Sequence, residues 1–148
     1  MNKDTSRITV GKVLRIILIV ILALFVGTCI FMFFKIRIDA DSALRNAKNV
    51  RMSLRSADIE MYAAGKTIFN PSKKNGIEDG VKEKVNQYIE DTGTYSITSY
   101  STRDHELTGM TYRQDNYVVY FSKSGENISW DVNLILNIYH YDETDVVE

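Results

Sequence analysis

IILIVILALFVGTCIFMFF, Ile16 to Phe34, runs for nineteen residues without a charge. At about 1.5 Å of rise per residue, a helix of that length reaches roughly 28 Å, close to the hydrocarbon thickness of a bilayer, about 30 Å. Val13 and Leu14 extend the apolar stretch past Arg15, whose long stem lets its charge reach the interface. Ile, Leu, Phe and Val surround such a helix on all sides, so it has no polar face to offer water. The segment reads as a transmembrane helix over 13–34, behind a short basic tail, 1–12. A cleaved signal peptide fits poorly. Its apolar core would be too long, Lys35 and Arg37 follow at once, and the nearest small-residue pattern, Ala40-Asp41-Ser42, lies behind those charges. Cys29 has no lipidation signal before it and reads as a packed apolar thiol.

Beyond the span, small or apolar residues recur at Ala40, Ala43, Ala47, Val50, Leu54, Ala57, Met61, Ala64 and Ile68, alternating steps of three and four. That is a helical stripe, and nothing before Asn70-Pro71 breaks it. One helix from about Val13 to Phe69 is expected, roughly 85 Å long at about 1.5 Å per residue, with 35–69 as an amphipathic stalk. Leu54, Met61 and Ile68 thicken the stripe toward its end, so that end is expected to pack on a domain core. The Ala-rich part favours a close neighbour, but makes a weak seam for a homodimeric coiled coil. Opposite the stripe stand Arg45, Lys48, Arg51 and Arg55. They read either as a solvated face, offset by Asp41 and Asp58, or as a docking strip for an acidic neighbour or lipid head groups.

The remaining residues, 70–148, form an α+β head. PSKKNGIEDG is a loop, and Ile77, Val81, Val85, Tyr88 and Ile89 follow at helical spacing, predicting a helix over 77–90. The period then changes to two. Strands are expected over 94–101, 107–113, 117–123 and 128–141, joined by turns at Arg103-Asp104-His105, Gln114-Asp115-Asn116 and Ser124-Gly125-Glu126-Asn127. The last strand alternates Ile128, Trp130, Val132, Leu134, Leu136 and Ile138 with polar residues, which predicts one apolar face. Four strands on short turns make an antiparallel meander, and the stalk helix is its obvious cover. Leu54, Met61 and Ile68 are expected to meet Trp130, Val132 and Leu134 there.

Charge separates along the chain. Residues 1–34 and 35–69 each carry +3, while 70–148 carries −7, so the overall −1 conceals a basic stalk before an acidic head. Near-zero net charge argues against a nucleic-acid binder. A single Cys excludes a disulfide framework and Cys-rich zinc sites. His105 and His140 lack the neighbours of a triad or metal site, and no P-loop, G-x-S-x-G, H-E-x-x-H or C-x-x-C occurs. The expectation is therefore no enzyme, with no catalytic, cofactor or metal residues and no small-molecule substrate. Asp142, Glu143 and Asp145 in the acidic end could ligate a cation, but no fixed-spacing loop supports it. Asn127-Ile128-Ser129 matches a glycosylation sequon, a triplet common by chance.

A short basic tail, an apolar helix running into an Ala-rich amphipathic one, a loop and a small antiparallel sheet together resemble type IV pilins and the pseudopilins of secretion and competence systems. ALRNAKNVRMSLRSADIEMYAAGKTIFNP is similar to the second half of a pilin's first helix entering its loop. NYVVYFSKSGENISWDVNL resembles the meander strands of such heads. The chain departs from that pattern at its N-terminal side. Gly11 is followed by Lys12, the fifth position after it is Ile16, and no acidic residue stands in the span, where pilins carry a processing site and a Glu. The resemblance implies a membrane-retained, pilin-like lollipop. It would be a structural subunit of a surface filament, secretion or DNA-uptake apparatus, partnered by membrane lipid, similar subunits or an assembly platform. It also implies a single-pass protein with its N-terminus cytoplasmic and its head outside. Both flanks of the span are basic, so positive charge alone does not set that orientation. The alternative function is an anchored extracytoplasmic ligand-binding or sensing module.

Overall fold

The computed structural model describes residues 4–89 and 93–135, with side chains from residue 10 onward. Leu136, Ile138, His140, Asp142, Glu143 and Asp145 lie outside the described residues. The element order is α1 (Asp4–Ala63), α2 (Val81–Val85), β1 (Thr94–Ser101), β2 (Glu106–Gln114), β3 (Tyr117–Ser124) and β4 (Asn127–Leu134). The chain divides into two compact units, Met1–Asp39 and Ala40–Glu148.

The first unit is the apolar part of α1. Its large apolar side chains from Val10 to Phe34 are 47–68% exposed. The helix is long and apolar enough to cross a membrane. The Thr28 hydroxyl donates to the Leu24 carbonyl at 2.9 Å, so this polar group inside the run is satisfied by its own helix.

In the second unit the helix buries one stripe. Ala43, Ala47, Val50, Leu54 and Ala57 are essentially inaccessible and Met61 nearly so. The helix ends at Ala63, not at Phe69. Gly65, two residues on, takes a left-handed φ of +70°. Its N–H reaches the Tyr62 carbonyl at 2.8 Å and the Lys66 N–H reaches Met61 at 2.9 Å, the paired bonds of a Schellman stop. Gly65, not Asn70-Pro71, therefore terminates the helix. Ala64 consequently leaves the stripe and is exposed, while Ile68 reaches the core from a loop.

The expected helix over 77–90 is also shorter, spanning only Val81–Val85. Gly80, at φ +82°, sits before its first residue. Ile77 instead bridges Phe69 across a tight loop, and the Asn75 carbonyl accepts from Ile97 N–H at 2.9 Å, stitching the loop to β1. Here Gly76 is obligatory. At φ +67° a Cβ would lie 2.1 Å from the Ile97 carbonyl oxygen.

The sheet is an antiparallel meander in the order β1-β2-β3-β4. Gln114 pairs with Tyr117 around Asp115-Asn116, and Ser124 pairs with Asn127 around Gly125-Glu126. Asp115 and Gly125 hold the positive φ that tight hairpins require. Irregular pairing around Ser99 bends β1. The two central strands supply the core through Leu107, Met110, Tyr112, Val119 and Phe121, packed with the helix stripe and with Ile68, Ile77, Val81, Val85 and Ile97. The expected helix–sheet pairing needs one correction. Trp130 and Val132 are half-buried against this core, but Leu134 is 41% exposed and Ile128 50%. β4 is an edge strand of the sheet, and its alternating apolar residues are only partly covered.

Candidate functional site

The four basic side chains expected on one solvated strip separate in the second unit. Arg45 is exposed. Lys48 lies over the Trp130 ring, with Nζ 5.8 Å from the centroid. Arg51 is half-buried with its guanidinium 4.4 Å from the Phe121 centroid. The two rings pack on each other at 4.8 Å between centroids. Lys48 and Arg51 thus act partly as lids over an aromatic pair on β3 and β4, where cation–π attraction and stem packing hold them. Arg51 belongs to the flank of the stripe, while Lys48 stays exposed. Burial pushes the Arg51 guanidinium below its ordinary range, with Glu106 acting in the other direction and Arg55 adding to the lowering.

Arg55 is exposed and turns to a cleft of about 350 Å³ within the second unit, shared with Arg51, Asp58, Asp104, His105, Glu106, Leu107 and Lys123. The helix, a turn and two strands assemble it. The helix supplies 51, 55 and 58 at steps of four and three, which places them on one side. The β1–β2 turn supplies Asp104 and His105, the latter at φ +49°, and the start of β2 supplies Glu106 and Leu107. Lys123 comes from β3 and pairs with Glu106, adjacent on β2. Asp104 accepts from the Ser101 hydroxyl at 2.8 Å. Neither Arg51 nor Arg55 has an ion-pair partner among the described residues.

Asp58 is the buried charge of this region, only 6% exposed. The Tyr100 hydroxyl donates to its two carboxylate oxygens, each at 3.0 Å. Burial holds the Asp58 carboxyl above the usual carboxylate range, opposed by the bonds from Tyr100 and the Ile68 N–H and by the nearby His105. The same burial, with Asp58 beside it, pushes the Tyr100 phenol up to about 12, against a hydrogen bond with Thr67. Tyr100 also stacks on Phe69 at 5.9 Å, and His105 packs on Tyr62 at 4.4 Å.

Of the side chains expected to join helix and sheet, Leu54, Met61 and Ile68 are buried, Trp130 and Val132 border the core, and Leu134 does not reach it. Sequence reasoning treated Asp58 only as a solvated charge offsetting the basic strip, and passed over Tyr100, Glu106 and Lys123. Asp58 carried a usable signal, since it stands four residues after Leu54 and so on the buried side of the helix. Elsewhere on the helix, Met52, Ile59 and Tyr62 are 67%, 66% and 58% exposed, interleaved with Arg45 and Arg55. Among the described residues, no group of three or more His, Cys, Asp or Glu could hold a metal ion.

Compared with protein-family models, curated proteins and solved structures, the chain matches none at a significant level.

Proposed function

We propose that this chain is a single-pass, pilin-like structural subunit, anchored in the cell membrane with its head outside, that works by helix packing within a surface filament, secretion or uptake assembly. The observation that carries this reading is the uncovered helix face in the second unit. Met52, Ile59 and Tyr62 remain largely exposed beside Arg45 and Arg55, and the acidic −7 segment of another subunit is a complementary cover. Residues of mixed apolar and basic character on a rigid helix suit a protein partner better than bulk water. The test is cross-linking of the full chain in its native membrane, through Met52→Cys in a Cys29→Ala background. A cross-linked adduct at low salt that fades at high salt supports assembly through this face. A protein that stays monomeric and unlinked at every salt concentration overturns it. Protease added to intact cells tests the orientation, since an external head is cut and an internal one is spared.

A second reading, an anchored ligand-binding module, is favoured by one specific observation, the charged cleft beside Arg51 and Arg55.

A further inference from the structure

We infer that the cleft between α1, the β1–β2 turn and β3 binds a small zwitterion of the amino-acid class, its carboxylate on Arg51 and Arg55 and its ammonium on the acidic wall. The inference rests on the ligand-binding reading and names the ligand chemistry for it. The cleft holds about 350 Å³, near the lower end of ligand pockets, which start at about 300 Å³. That is space for a small molecule and not for an extended chain.

The lining charges divide by whether they are already used. Lys123 is paired with Glu106, and Asp58 accepts from Tyr100. Arg51 and Arg55 border the cleft without an ion pair among the described residues; Arg51 feels Glu106 only at longer range and lies with one face over Phe121, while Arg55 is exposed. They stand one helical turn apart on one flank, so their planar forks can converge on a single planar anion. A carboxylate matches that geometry. The remaining lining decides the rest of the ligand. Asp58, Asp104 and Glu106 bring three negative groups to balance Arg51, Arg55 and Lys123. A phosphate dianion or a dicarboxylate would meet uncompensated repulsion from that wall. A ligand carrying both signs and no net charge meets none, and its ammonium gains an acceptor on the exposed carboxylate of Asp104, one oxygen of which Ser101 leaves open. Leu107 is the apolar lining residue, suited to a short aliphatic side chain.

The test is titration calorimetry on the full chain in detergent micelles or nanodiscs. The probes are glycine, alanine and valine, with acetate, methylamine and inorganic phosphate as single-sign arms. The expected result is saturable heat with at least one amino acid, and binding at least tenfold weaker for acetate and methylamine. Arg55→Gln, an exposed position without an ion pair, should weaken the amino acid about tenfold, the loss of one charge-assisted hydrogen bond. Arg113→Gln, an exposed position on β2 outside the cleft, should leave it unchanged. Equal or tighter binding of acetate or phosphate overturns the zwitterion while leaving a ligand-binding module standing. Amino-acid binding indifferent to Arg55→Gln overturns the location. No heat with any probe overturns both the inference and the reading beneath it.

Discussion

Replacing Tyr100 with Phe removes one hydroxyl and little else, because the ring that stacks on Phe69 at 5.9 Å is retained. What is lost is the donor that faces both oxygens of Asp58 at 3.0 Å, together with the hydroxyl's hydrogen bond with Thr67, whose side chain can turn to another partner. Hydrogen bonds to charged groups contribute roughly 1.5–3 kcal/mol. The Ile68 N–H still serves the carboxylate, so the lower half of that range applies, about 2 kcal/mol near neutral pH. For a unit of this size that lowers Tm by roughly 8 °C. The loss carries a pH signature. Burial raises the folded-state pKa of Asp58, so the folded chain keeps a proton that the unfolded chain has released. Its contribution to stability is therefore complete below the unfolded pKa and is lost as pH rises through the folded value. The Tyr100 bond favours the ionised form and restrains that loss. Without it the window widens upward, and the penalty of Tyr100→Phe grows with pH. At about pH 4 the bond to a protonated carboxyl is an ordinary neutral one, worth about 1 kcal/mol. The phenol itself, pushed up to about 12, does not titrate in this range. Thermal melts of the full chain in detergent, followed by near-ultraviolet circular dichroism at about pH 4 and pH 7, measure both losses. Equal losses at the two pH values, or no loss at the higher one, would refute the reasoning.

Two further substitutions probe the packing. Leu54→Ala empties a site with no solvent access and should cost about 2–5 kcal/mol by the same melts. Gly65 and Gly76 both hold positive φ, so Ala strains either by about 1–2 kcal/mol. Only at Gly76 would the new Cβ also strike the Ile97 carbonyl at 2.1 Å, so Gly76→Ala should be clearly the more damaging variant. Equal melting temperatures for the two would contradict the loop geometry.

The uncharged apolar run and the helix stripe were legible because each is a local pattern. An uncharged run needs no partner to be recognised, and steps of three and four from Ala43 to Met61 report a single face. The helix end was misplaced because Asn70-Pro71 is the louder signal, while Gly65 acts only through backbone bonds to Met61 and Tyr62. Alternation correctly marked β4 as a strand, yet alternation does not reveal whether a strand is central or at an edge, and Leu134 was lost on that point. The cleft was invisible for a different reason. Its walls come from the helix, a turn near residue 105 and Lys123, and charged residues so far apart in sequence look like separate solvated sites until the fold joins them. Lys48 is indeed exposed, but no periodicity shows that Trp130 lies beneath it or that Arg51 is half-buried over Phe121.

The strand order has a consequence for the sequence of events during synthesis. Each strand pairs with its neighbour in the chain, so the hairpins can zip locally and quickly as they emerge. The helix stripe has no such local partner. Its cover is contributed by strands many residues downstream, so Val50, Leu54 and Met61 leave the ribosome long before anything can shield them. During that interval the nascent chain carries an uncovered apolar seam, and holding it apart from other chains is a task for chaperones or for rapid delivery to the bilayer.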